Sequence, residues 1–200
     1  MSDSEPLEFE CAEGREIGNE AFWSLSSAKP GNGIDQLRDD TIDTFWQSDG
    51  TQPHCINIEF NKKTLIQEIA LYLYYKLDES YTPKKISIRS GNTVQELVEI
   101  HAKELVEPNG WIRIPLYTIE NGEVLCAKNF GQLADRATLN LQHRPLRTFF
   151  IQIAVLAMHQ NGRDTHIRQV KIYSPRKSNI FGQRIIEPST AQVSAHFMVR

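Results

Sequence analysis

The chain has 200 residues, 40% of them hydrophobic and 24% charged, which is apolar material enough for one domain-sized core and too much for a mostly disordered protein. Lys and Arg number 22 against 25 Asp and Glu, a net charge of -3, so no overall positive field draws the chain to phosphate backbones or anionic lipid. Neither nucleic acid nor a membrane is an expected partner. The opening MSDSEPLEFECAEG has neither the basic start nor the apolar run of a signal peptide, and no stretch is long enough to span a bilayer. Cys11, Cys55 and Cys126 are odd in number and lack the Cys-x-x-Cys spacing that chelates zinc or runs thiol exchange, and no asparagine opens an Asn-x-Ser/Thr sequon. A soluble intracellular protein with reduced thiols is expected.

In chain order, GIDQLRDD supports one short helix near Ile34 to Asp40. Ile56, Ile58 and Phe60 then alternate with Asn57 and Glu59, the period of a strand with one face on a core. In LIQEIALYLYY, residues 65 to 75, Ile69, Leu71, Leu73 and Tyr75 share a face. Ile86 and Ile88 alternate with Ser87 and Arg89. VQELVEIHAKELVE, residues 94 to 107, is ambiguous in period, and the turn Pro108-Asn109-Gly110 that follows favours strand. Ile112 and Ile114 flank Arg113; Phe149, Ile151, Ile153 and Val155 form a further strand; HIRQVKIY, residues 166 to 173, forms the last. Many short strands between Gly, Pro, Asn and Asp clusters predict an all-β sandwich or barrel with short helical segments, and no fixed-length repeat points to a propeller or solenoid. Three segments read as peripheral: an N-terminal tail over residues 1–13, an insertion over 118–143 and a C-terminal tail over 176–200, leaving a core domain over 14–175.

The signatures of common enzymes are absent: no Gly-x-x-x-x-Gly-Lys phosphate cradle, no His-Glu-x-x-His zinc helix, no Gly-x-Ser-x-Gly elbow. The densest polar cluster is His159-Gln160-Asn161-Gly162-Arg163-Asp164-Thr165-His166, between two strands. Asn161-Gly162 accounts for a hairpin turn, and one reading is a solvated connection. The other is a binding surface, since a turn needs neither two histidines nor an arginine and an aspartate, and strands supply the rigid frame that such a surface requires. The spacing suits no metal, and no nucleophile accompanies the His/Asp pair. Asp78-Glu79-Ser80-Tyr81, in the connection Lys76 to Pro83, divides in the same way between a packed turn and a peptide-recognition site built on Tyr81. Asp39 to Gly50 is rich in carboxylates without calcium-loop spacing, and reads as a capped turn over a buried Trp46.

TFWQSDGTQPH (44–54), DESYTPKKISIR (78–89), ELVEPNGWIRIPL (104–116) and AVLAMHQNGRDTHIRQVKIY (154–173) resemble the Doc-domain, or subunit 10, family of the anaphase-promoting complex, and REIGNEAFWSLSSAKPGNGIDQLRDD (15–40) extends the likeness. The resemblance implies a discoidin-like, galactose-binding-type jelly roll, in agreement with the strand pattern. It implies a non-catalytic, cofactor-free substrate-recognition subunit of the E3 ubiquitin ligase, working in nucleus and cytoplasm. In that family the subunit acts as a destruction-box co-receptor beside a propeller coactivator, promoting processive ubiquitination of cyclins and other cell-cycle substrates.

The implied degron-binding residues are Asp78, Glu79, Ser80, Tyr81 and His159 to His166, whereas Trp46, Gln47, Ser48 and Asp49 match a scaffold signature. Family tails ending Ile-Arg dock into a tetratricopeptide-repeat subunit; here Val199 and Arg200 stand in their place, one methylene shorter, worth about 0.8 kcal/mol when buried. The insertion is longer than the family domain leads one to expect. The same jelly roll also serves carbohydrate-binding lectins, which is the alternative function.

Overall fold

A computed structural model of the chain describes residues 14–118, 124–125 and 144–176. The strands are β1 (Gly14–Glu16), β2 (Ala21–Leu25), β3 (Trp46–Gln47), β4 (His54–Ile66), β5 (Glu68–Tyr74), β6 (Pro83–Gly91), β7 (Val98–Glu104), β8 (Asn109–Pro115), β9 (Tyr117–Thr118), β10 (Val124–Leu125), β11 (Arg144–Met158), β12 (His166–Ile167) and β13 (Gln169–Pro175). Two short helices, α1 (Ile34–Arg38) and α2 (Tyr75–Asp78), complete the regular structure together with single 3-10 turns. One antiparallel sheet runs β1-β13-β5-β8; the other is built on the long β11, which pairs with β4, β6 and β9, with β2, β7 and β10 outside them. A two-stranded ribbon, β3 with β12, lies apart from both.

Alternation and register together explain the core. In one sheet Ile153 sits opposite Ile56 on one side and Ile88 on the other, and Ile69 lies between Ile172 and Ile114 in the other sheet. All six are fully buried and belong to one cluster that joins both sheets, the sandwich expected from strands with a single apolar face. Ile58, Leu71, Ile86 and Ile151, also expected inside, are buried with them. On the opposite face of the β11 sheet the register lines up a polar row: Arg89 donates to Gln152 (3.1 Å), and Gln152 donates to Asn57 (2.8 Å).

Three local expectations change. The run 65–75 is broken at Gln67, and Tyr75 starts α2 instead of continuing the face of Leu73. Phe149 is half-buried, because the register shifts between Thr148 and Phe150 and the Thr148 hydroxyl bonds the Gly91 carbonyl (2.8 Å). The expected strand 166–173 divides at Arg168 into β12 and β13. The short helix at residue 34 and the strand after residue 97 form as expected. Within the expected insertion, Val124–Leu125 pairs with Tyr117–Thr118; its other residues from 119 on, and both expected tails apart from Arg176, lie outside the described residues.

Ile153→Ala should cost about 2–5 kcal/mol, because a fully buried side chain is removed between two packed neighbours. Phe22→Ser, at a side chain 70% exposed on the edge strand β2, should cost about 0.5 kcal/mol or less. Urea unfolding of the two variants separates these outcomes.

Candidate functional site

The segments singled out in the sequence converge at one end of the sandwich. β5 ends in α2 and a 3-10 turn over Glu79–Tyr81, and β11 ends in a 3-10 turn over His159–Asn161. The two connections interlock. The His159 amide donates to the Thr82 carbonyl (2.9 Å), and the Thr165 hydroxyl donates to the Tyr81 carbonyl (3.3 Å). The Gln160 amide donates to the Tyr75 hydroxyl (3.3 Å), and the His159 ring packs edge-on against Tyr75.

Gly162 is required by this approach: a Cβ there would collide with the Ser80 carbonyl. The connection is therefore not the hairpin that Asn161-Gly162 indicates. It carries the chain from β11 to β12 and β13, which pair elsewhere, and its left-handed residues are Gln160 (φ 51°) and Asn161 (φ 55°) instead of the glycine.

Beneath the connections lies a buried charged group. Asp78 is only 5% exposed and receives both arms of the Arg168 guanidinium, Nε at 2.9 Å and Nη2 at 2.8 Å. His166 Nδ1, 3.2 Å from the same carboxylate, donates as well. Burial alone would raise the Asp78 pKa, but the hydrogen bonds from His166 and Arg168 outweigh it and hold the carboxyl below its ordinary value. The third arm of Arg168 donates to the Ile42 carbonyl. The His166 ring is sandwiched between Phe45 (4.1 Å between centroids) and Tyr81 (4.2 Å, nearly parallel). Tyr81 is thus held flat over buried charge while 39% of it faces solvent.

A second layer fixes the other side. Thr165 and Ser48 exchange bonds, Thr165 N to Ser48 Oγ at 2.9 Å and Ser48 N to Thr165 O at 3.2 Å. His54 Nε2 donates to the Arg163 carbonyl (2.7 Å), Gln52 reaches the Gly162 carbonyl (3.3 Å), and Lys29 lies 3.5 Å from Asp164. Trp46, Gln47 and Ser48 are buried below, with the Trp46 indole donating to Ser27 O (2.9 Å), and Asp49 is exposed beside them. Asp39 accepts from Thr41, Thr44 and Gln169, which makes the acidic segment a capped turn.

The twelve candidate residues therefore divide by position. Glu79, Tyr81, Gln160, Asn161 and Arg163 are exposed; Ser80, His159, Gly162 and Asp164 are half-buried; Asp78, Thr165 and His166 are buried and support the others. Val199 and Arg200 lie outside the described residues. Sequence reasoning missed Arg168, Phe45 and Tyr75. A signal for Arg168 existed: in HIRQVKIY it shares parity with Val170 and Ile172, so alternation places a cation on the core face, where it needs a counter-charge. Among the described residues, no three His, Cys, Asp or Glu side chains are grouped to hold a metal ion.

The two packed antiparallel sheets define a discoidin-like jelly roll, the galactose-binding-type fold. The chain is similar to a family 32 CBM from Clostridium perfringens NanJ solved in complex with galactose (TM-score 0.57, 14% identity, covering 80% of this chain and 99% of that one). A second C. perfringens family 32 CBM, in complex with GalNAc-β-1,3-galactose, gives a TM-score of 0.57 at 8% identity, covering 80% of this chain and all of that one. At such identities the likeness concerns the fold.

The family model for anaphase-promoting complex, subunit 10 (APC10) matches residues 5–197. Anaphase-promoting complex subunit 10 of Homo sapiens is 52% identical over 169 residues, 84% of this chain and 80% of that protein; the Drosophila melanogaster protein is 49% identical over 161 residues, 80% and 71%. Subunit DOC1 of Saccharomyces cerevisiae is 34% identical over 155 residues, 78% of this chain and 54% of that protein. The chain belongs to the anaphase-promoting complex subunit 10 family, and is thereby a subunit of a ubiquitin ligase complex.

Arg168→Met leaves Asp78 buried without its main partner and should cost about 3–5 kcal/mol in urea unfolding, more than an exposed Arg163→Met. The Asp78 pKa is lower folded than unfolded, so its stabilisation is fully present above the unfolded value near 4 and is lost as pH falls through the folded value. The stability gap between the parent and Asp78→Asn should accordingly narrow below about pH 4. A gap independent of pH would contradict an ionised Asp78.

Proposed function

We propose that this chain is a non-catalytic substrate-recognition subunit of the complex, whose loop face holds the destruction-box degron jointly with a propeller coactivator and so promotes processive ubiquitination. The observation that carries this reading is the exposed set Tyr81, Gln160, Asn161 and Arg163, presented on two connections locked together from below by Asp78, His166 and Arg168. A face ordered before binding loses little conformational entropy on binding, so a few polar contacts retain their value. Two weak sites on one degron gain further from effective concentration, and a longer dwell allows more ubiquitin transfers per encounter. Asp78 spends its carboxylate on Arg168 and His166, and the His166 ring is fixed by stacking between Phe45 and Tyr81, which favours a structural over an acid–base role for the pair.

The same geometry weighs against sugar binding. The buried ring and charges at this end are engaged internally, His166 between Phe45 and Tyr81 and Arg168 with Asp78, so only the rim residues Tyr81, Gln160, Asn161 and Arg163 are left to meet a ligand. The further partners in this proposal are cyclins and other destruction-box substrates, and a tetratricopeptide-repeat subunit that takes Val199 and Arg200. The proposed workplace is nucleus and cytoplasm.

Gln160→Ala/Arg163→Ala changes exposed side chains, so the variant should fold and assemble. With about 0.5–1.5 kcal/mol lost per contact, a destruction-box peptide should bind the assembled ligase about tenfold more weakly, and ubiquitin chains on its substrates should be shorter. Equal processivity of variant and parent, both fully assembled, would sink the co-receptor assignment. Removing Val199 and Arg200 should lower co-purification with the repeat subunit and leave urea unfolding unchanged; full recovery of that subunit would count against a docking tail.

A further inference from the structure

Among the described residues six large hydrophobic side chains are exposed, and three of them, Leu77, Tyr81 and Val106, lie at the loop end. Val106 is the most exposed of the six at 87%, and Leu77 is 65% exposed. Val106 stands at the tip of the turn between β7 and β8, in the ELVEPNGW stretch to which neither the fold nor the two loops above assign a role. The turn is held at both ends: Leu105 is buried with its amide on the Lys84 carbonyl (2.8 Å), and Pro108 is buried with its carbonyl taking the Tyr75 amide (2.8 Å). Asn109 braces it twice, accepting from the Lys76 amide (3.1 Å) and donating to the Glu107 carbonyl (2.9 Å). Those bonds also tie the turn to α2, which carries Leu77.

Turn chemistry does not account for the residues at this tip. A bend of this kind favours Asn, Asp or Gly, whereas here Val106 points outward and Glu107 takes a left-handed conformation (φ 42°). Non-glycine residues with positive φ number five among the described residues, and four of them, Glu79, Glu107, Gln160 and Asn161, belong to this end. Strain of that kind gathers where backbone is shaped for binding. The Tyr75 amide is held by Pro108 of this turn and the Tyr75 ring packs against His159, so the turn adjoins both candidate connections.

We infer that the β7–β8 turn is a third wall of the loop face, and that Val106 and Leu77 seat an aliphatic side chain of the same extended substrate peptide. This deepens the co-receptor reading and rests on it. Glu79 and Glu107 argue for a peptide occupant bearing a cation near that side chain: both are exposed, and neither pairs with Lys or Arg among the described residues. Tyr81 then bridges the apolar wall and the polar residues Gln160 and Arg163.

The test uses the assembled ligase with its coactivator and a fluorescent destruction-box peptide, read by equilibrium anisotropy. Leu77→Ser/Val106→Ser should leave assembly and urea unfolding unchanged and weaken peptide binding about tenfold, the loss expected when one buried aliphatic contact is removed. A series of peptides with each aliphatic residue replaced by Ala identifies the occupant. One of them should lose affinity for the parent but little more for the variant, the non-additivity of a direct contact.

Unchanged peptide affinity in Leu77→Ser/Val106→Ser, alongside a loss in Gln160→Ala/Arg163→Ala, would overturn this inference and leave the co-receptor reading standing. Unchanged affinity in both variants would overturn both. Loss of another subunit from the complex with peptide affinity intact would make the wall an assembly contact and overturn the inference as well.

Discussion

Arg168 enters the sandwich on the wrong side for a cation. Its neighbours in parity, Val170 and Ile172, face the core, and the side chain is nearly fully buried at the point where β12 gives way to β13. A charge taken out of water must be neutralised and its donors filled, and Asp78 with the Ile42 carbonyl does both. Because Asp78 ends α2, the pair ties the start of β13 to the connection leaving β5. That connection carries Tyr81. The same carboxylate fixes the His166 ring, and the ring fixes the plane of Tyr81. One ion pair therefore sets the relative position of the two loops that form the candidate face.

The jelly-roll fold that this chain shares with carbohydrate-binding modules does not by itself decide what the loop end holds. The sheets are interchangeable in kind, because any sequence with the right alternation builds them, and function resides in what is grafted on their ends. Here the inner polar groups are engaged with one another, and the side chains left over for a partner are those on the outer rim. A rim of Tyr, Gln, Asn and Arg on a preordered backbone suits an extended peptide, which presents a line of donors, acceptors and side chains in place of a compact ring of hydroxyls.

Alternation made the strands legible, and the core followed from it, since Ile56, Ile69, Ile88 and Ile153 meet because period and register agree. The 159–166 connection stood out by its excess of polar residues over what a turn needs, and the 78–81 connection by Tyr81 beside acidic and hydroxyl groups. Where reading by segment failed, the cause was tertiary. Asn161-Gly162 carries a hairpin signal, yet the glycine answers to Ser80 across the gap and not to a two-residue turn. Phe149 follows the period of its strand but sits at a register shift that only the Thr148 bond to Gly91 explains. Phe45 looks like a scaffold aromatic in its own segment and becomes part of the site only because His166, more than a hundred residues later, stacks on it. Val106 carried no local signal except that it is apolar where a turn favours Asn or Gly.

Why a buried ion pair should occupy this position, when apolar residues of similar volume would pack at least as stably, follows from what each kind of contact constrains. Leu against Met tolerates sliding and rotation at little cost, so it would hold the connections near β13 without fixing their register. A guanidinium that gives two parallel bonds to one carboxylate fixes distance, plane and direction together. Glu79, Gln160 and Asn161 take left-handed backbone conformations that isolated loops of this sequence would abandon. Directional contacts flank them on both sides: Asp78 precedes Glu79 and the Thr82 amide bonds the Glu79 carbonyl, while the His159 amide is bonded just before Gln160 and the Thr165 and His166 bonds follow Asn161. In a proposed site that supplies only part of the grip on a shared peptide, that rigidity is what lets a handful of exposed polar side chains count, because little of their contact energy is spent on ordering the loops.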